Sequence, residues 1–162
     1  MREILFRGKD IYGEWVEGDL IHNDSRCYPA TFIGNIIMSR SKYTDDLSCD
    51  GHYLPEVDPD TVGQYTGLKD KNGKRIFEGD ILSFPDTGEE GYEYKEGYDF
   101  TNVATVCWKN GRWELEDYGD YNSSVMDDME VSCHYDFITT FRIGEVIGNI
   151  HDNPELIAEV EG

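Results

Sequence analysis

The chain has 162 residues, of which 14 are Lys or Arg and 34 are Asp or Glu, for a formal charge of −20. A field of that sign repels phosphodiester backbones and anionic lipid, because affinity for both comes largely from protein cations, so neither nucleic acid nor membrane is expected as a partner. With 38% hydrophobic residues and 11 Tyr, 7 Phe and 3 Trp, the chain can bury an ordinary core, as one domain or two small subdomains.

The charge is read first as conferring solubility; the sharper reading is a surface that attracts a basic partner or imitates DNA. The opening "MREILFRGKD" has no secretory apolar core, and no run approaches membrane-spanning length. Cys27, Cys49, Cys107 and Cys133 are widely spaced, so free thiols in a reducing cytoplasm are the expectation.

In chain order, the first informative stretch is "KDIYGEWVEGDLI", residues 9 to 21. Its pattern returns in "KDKNGKRIFEGDIL", residues 69 to 82: Lys-Asp, a Gly-centred turn, two apolar residues, Glu-Gly-Asp and two more apolar residues. The repeat predicts two similar β units packed side by side, each a small barrel-like roll. Boundaries are set at 1–60 for an N-terminal β subdomain and 61–162 for a C-terminal one. In the second copy, Asn72-Gly73 suits a tight reversal. Gly79 suits a positive φ, and Asp80 is placed to accept a local backbone hydrogen bond where the next strand begins.

Residues 83 to 100, "SFPDTGEEGYEYKEGYDF", read as an acidic, Tyr-rich loop. Then "VATVCWKNGRWEL", residues 103 to 115, reads as a hairpin. A type I′ turn at Asn110-Gly111 pairs Lys109 with Arg112, Trp108 with Trp113 and Val106 with Leu115. One face then carries Ala104, Val106, Trp108, Trp113 and Leu115, and the other Thr105, Cys107, Lys109, Arg112 and Glu114. Residues 116 to 130 read as a second acidic loop holding a short helix from Ser123 or Ser124. Strand character returns over 136 to 150. Asn153 as N-cap and Pro154 at the first helical position predict one short C-terminal helix.

Three of these segments, "FRGKDIYGEWVEGDL", "TVGQYTGLKDKNGKRIFEGDIL" and "VIGNIHDNPELI", together resemble the YopX family of phage and prophage proteins. The resemblance runs from about Arg7 to Ile157 and is weakest over 23–58 and 83–130. It implies an SH3-like β-roll architecture and brings no enzymatic activity with it.

Several residue groups invite a chemical reading. Gly67, Gly73 and Lys74 superficially evoke a phosphate loop, but Arg75 stands where a hydroxyl is required and no helix pattern follows. Cys49, His52, Cys133, His134 and Cys27 lack paired zinc knuckles, and adjacent Cys133 and His134 in a strand point to opposite faces. The acidic loops lack the ligand order of a calcium loop. Glu17/Asp19 and Glu78/Asp80 could act as acid and base, yet their repetition suits a folding requirement better than one active centre. The only basic concentration, Lys69, Lys71, Lys74 and Arg75, is balanced by Asp70, Glu78 and Asp80. The expectation is an all-β protein with one short C-terminal helix, with no catalytic, cofactor-binding or metal residues. It would act by contacting an unidentified protein, with self-association possible at uncovered sheet edges. Alternatives are an acidic nucleic-acid mimic binding a basic host protein, and a carboxylate-dependent hydrolase.

Overall fold

The structure is a computed structural model that describes residues 3–24, 26, 29–34, 38–40, 47–49, 54–86, 100–120 and 141–158. Its strands are β1 (Phe6–Lys9), β2 (Trp15–Asn23), β3 (Ala30–Gly34), β4 (Met38–Arg40), β5 (Leu47–Cys49), β6 (Gly63–Lys69), β7 (Arg75–Phe77), β8 (Asp80–Asp86), β9 (Phe100–Lys109), β10 (Arg112–Asp120) and β11 (Glu145–Asn149). A 3-10 turn at Pro59–Thr61 precedes β6, a helical turn at 141–143 precedes β11, and α1 (Glu155–Ala158) follows it. The described residues are thus mostly β, with only short helices, as the sequence leads one to expect. Two compact units divide the chain, Met1–Tyr65 and Thr66–Gly162.

In the first unit the strands pair in the order β3-β2-β1-β6, and β6 runs on into the second unit, where it pairs with β7. The first unit's core is built on Ile33, Val57 and Tyr65, all nearly inaccessible. Gly8 makes room for it: a β-carbon there would lie 3.1 Å from Ile33 Cδ1 and 3.3 Å from Val57 Cβ. Residues 55–57 bond to β3 through Ile33 N to Pro55 O and Val57 N to Thr31 O, and an isolated bridge joins Val57 to Asp10 just beyond β1. β4 and β5 form a separate two-stranded ladder.

The second unit holds a four-stranded antiparallel sheet in the order β10-β9-β8-β11. One face of it packs Leu82, Phe84, Ala104, Val106, Trp113 and Val146 together with Ile76 and Phe141. The β9–β10 hairpin follows the expected register, with Arg112 opposite Lys109, Trp113 opposite Trp108 and Leu115 opposite Val106. Asn110 (φ 54) and Gly111 (φ 80) both occupy the left-handed region that a type I′ turn demands. The face assignment holds, with Trp108 meeting Trp113 on one face, but exposure differs along it: Trp108 lies near the hairpin tip and stays 48% exposed, whereas Trp113 is buried. Thr105, on the other face, is buried as well, so the middle of β9 is covered on both sides.

Other expectations are revised. No sheet closes into a barrel among the described residues, because closure on the β3 side is carried only by the isolated bridges of residues 56 and 57 rather than by a full ladder. Residues 83–86 belong to β8 and residues 116–120 to β10, which resumes after an irregularity between Glu116 and Gly119. The C-terminal helix is present at Glu155–Ala158, but Asn153 turns its side chain back to accept from Asn149 N at 3.4 Å. The short helix expected from Ser123 or Ser124 lies outside the described residues.

Candidate functional site

The two Lys-Asp-x-x-Gly segments fold into the same turn. In the first copy Asp10 N donates to Glu14 O and Gly13 N to Asp10 O, both at 2.9 Å, and Asp10 Oδ1 accepts from Tyr12 N and Glu14 N at 2.8 and 3.0 Å. In the second copy Asp70 N donates to Lys74 O and Gly73 N to Asp70 O, again at 2.9 Å, and Asp70 Oδ1 accepts from Asn72 N and Lys74 N at 2.8 Å. Gly13 and Gly73 have φ of 83° and 81°. An aspartate folding its carboxylate onto amides two and four residues ahead, with glycine supplying the left-handed residue, is what this spacing encodes. Sequence reasoning located the glycines and missed the aspartates, although the equal Asp-to-Gly spacing of the two copies was the available signal.

Asp70 does more than shape its turn. It is 6% exposed, and its Oδ2 accepts from Val146 N in β11 at 3.1 Å. Lys71 N donates to Gly144 O at 3.0 Å, and Lys71 Nζ pairs with Glu145 Oε2 at 2.8 Å. The β6–β7 turn is therefore stitched to the first residues of β11. Burial pushes the Asp70 carboxyl up, but the amides of Val146, Lys74 and Asn72 and the Lys74 charge outweigh it and hold the pKa below the usual value.

The candidate acid–base pairs fare differently. Gly79 has φ 78 and forms a true corner, its N donating to Val106 O and its O accepting from Ile150 N. Asp80, buried at the start of β8, accepts from Phe77 N at 2.7 Å, the local bond expected of it. Glu17-Gly18-Asp19, by contrast, is no corner. It lies within β2, with Glu17 opposite Arg7 and Asp19 opposite Gly34, and both carboxylates exposed. Gly18 is needed for close approach instead, since a β-carbon there would come within 2.6 Å of the Gly34 backbone.

The glycines of the suggested phosphate loop are split between structures: Gly67 sits in β6 and Gly73 in the turn, and strand β7 follows rather than a helix. Cys27, His52, Cys133 and His134 lie outside the described residues. Among the described residues no group of three or more His, Cys, Asp or Glu is arranged to hold a metal ion. Cys107 donates weakly to Glu114 O at 3.6 Å. Burial, together with the neighbouring Glu116 and Glu114 carboxylates, pushes its pKa up to about 11.

The β9–β10 hairpin presents a different kind of feature. The exposed Trp108 ring meets Trp113 edge-on, with centroids 4.8 Å apart and planes at 70°. On the opposite face Lys109 pairs with Glu116, and Arg112 Nε donates to Glu114 Oε1 at 2.7 Å. Arg112 also holds the Glu114 pKa below its usual value. The result is an indole held by a buried neighbour on one side and open to solvent on the other, on a hairpin whose Lys109 and Arg112 are already paired.

Comparison with known proteins agrees with this architecture. Residues 6–158 match the family model described as YopX protein. The crystal structure of protein EF1440 from Enterococcus faecalis is similar at a TM-score of 0.53 and 26% identity, covering 97% of this chain and 99% of that one. No curated protein matches. No helix among the described residues is long and apolar enough to cross a membrane.

Proposed function

Since this chain belongs to the YopX family of phage and prophage proteins, we propose that it is a non-catalytic accessory protein that works in the host cytoplasm by contacting another protein. The observation that carries this reading is the placement of the most buried carboxylates among the described residues. Asp80 is turned onto Phe77 N and Asp70 onto three backbone amides, so both support the fold where a hydrolase would need them aimed at a substrate. The exposed Trp108, held from one side by Trp113, supplies the opposite kind of feature. Large aromatic side chains that are already ordered lose little freedom on binding and recur among the residues that dominate interfaces. An SH3-like roll, with residues 55–58 joining β3 to the end of β1, is the finer architecture that the bridges at Phe32 and Asp10 support.

The test is a photo-cross-linking amino acid at position 108, followed by irradiation in host-cell extract. A discrete protein adduct that depends on the folded chain is the expected result. Its absence there and at every other exposed position tried, or substrate turnover abolished by Asp19→Asn, would overturn the reading.

A further inference from the structure

The two sister turns differ at their tips. In the first unit the two residues between Asp10 and Gly13 are Ile11 and Tyr12, 72% and 76% exposed. In the second unit the same places hold Lys71 and Asn72. All four hydrogen bonds and the positive glycine φ are common to both turns, so the geometry is fixed by the aspartate and the glycine. The second copy thus shows that this turn frame accepts a polar tip, there with Lys71 also fastened to Gly144 and Glu145, so the frame itself does not call for an isoleucine and a tyrosine in water at the first.

The surroundings of that tip are acidic. Asp10 and Glu14 belong to the turn itself. The Asp10–Val57 bridge and the bond from Asp58 N to Lys9 O at 2.8 Å bring the 58–60 stretch beside it. There Asp60 N donates to Asp58 Oδ1 at 3.0 Å, and both side chains are exposed. The cations of the neighbouring strand are directed elsewhere: Arg7 lies 4.6 Å and Lys9 5.5 Å from the centre of the Trp15 ring.

We propose that Ile11 and Tyr12 form a docking knob for a basic partner protein, entering an apolar hollow rimmed by lysine or arginine. The apolar tip supplies the contact area, and the carboxylates of Asp10, Glu14, Asp58 and Asp60 select the partner's charge. A second copy of a chain carrying −20 is disfavoured by the same field. This assignment rests on the protein-contact reading above and names the surface and the chemistry of its partner.

The experiment places a photo-cross-linking amino acid at position 12 of the full chain, irradiates it in host-cell extract, and identifies the joined peptide by mass spectrometry. A partner peptide flanked by Lys or Arg is expected, with the yield falling several-fold when Asp58→Lys and Asp60→Lys are added or when salt is raised. The variant Ile11→Lys/Tyr12→Asn, which installs the second copy's tip, should melt with the wild-type chain and lose competition for that partner. Joining to a second copy of this chain, joining to a neutral or acidic peptide, or a yield indifferent to Asp58→Lys and Asp60→Lys would each overturn the proposal. A cross-linker that captures a protein from position 108 and none from position 12 refutes the knob and leaves the protein-contact reading standing. Silence at both, and at every other exposed position tried, removes both.

Discussion

Replacing Asp70 by asparagine tests whether the second turn is a structural joint. The amide oxygen of the introduced side chain can still accept from Asn72 N and Lys74 N, but an NH2 group then faces Val146 N, donor against donor. A hydrogen bond to a charged acceptor contributes about 1.5–3 kcal/mol, and a buried N–H left without a partner costs a similar amount, so a loss of about 2–3 kcal/mol is expected. For a chain of this length that lowers the melting midpoint by roughly 4–12 °C. Asp10→Asn is the control, because among the described residues the Asp10 carboxylate bonds only to its own turn amides, and it should cost under about 0.5 kcal/mol. The pH dependence has a definite sign. The folded-state pKa of Asp70 lies below its ordinary 3.8, so its contribution is complete above that value and fades as pH falls through the lower, folded value. Urea melts of wild type and Asp70→Asn should therefore differ fully at pH 7 and converge below about pH 4. Equal midpoints at neutral pH, or a gap that widens in acid, would refute the joint.

The twin glycines should fail for different reasons. Gly79→Ala meets Ile150 only at an ordinary 3.4 Å, so its cost is the left-handed φ alone, about 1–2 kcal/mol, and Gly79→Asn should recover part of it in thermal melts. Gly18→Ala forces β2 away from the Gly34 backbone and should cost more, with no recovery by asparagine. Trp113 Nε1 is buried with no acceptor among the described residues, so Trp113→Phe removes an unsatisfied donor and should change stability by less than about 1.5 kcal/mol despite the lost area. In a chain whose other three cysteines are serine, Cys107 should react slowly with a thiol reagent at pH 8, and faster as pH rises toward about 11. Fast labelling at pH 8 in the folded chain would contradict that assignment.

What could be read from the sequence was what neighbouring residues decide among themselves. The β9–β10 register follows from Asn110-Gly111 and from side-chain parity on either side, and the Gly79 corner follows from a glycine between two short apolar runs. Residues 83–86 were misread because Pro85 and the acidic run beyond it resemble a loop. The β11 ladder on β8 ends at Ser83, however, and past that point no strand among the described residues pairs on that side, a place of the kind that tolerates proline. The candidate site was illegible where its partners are remote. Asp70 meets Val146 76 positions away, and Gly18 is explained by Gly34 on the next strand. Glu-Gly-Asp is therefore one tripeptide with two physical causes. At 79 the glycine is required by its own backbone angle, and at 18 by the strand that lies against it. Identical words in the two halves of the chain do not carry one function, and the same holds for the Lys-Asp-x-x-Gly turns. Their frames coincide bond for bond, while one tip is fastened to β11 and the other holds two large apolar side chains out to solvent.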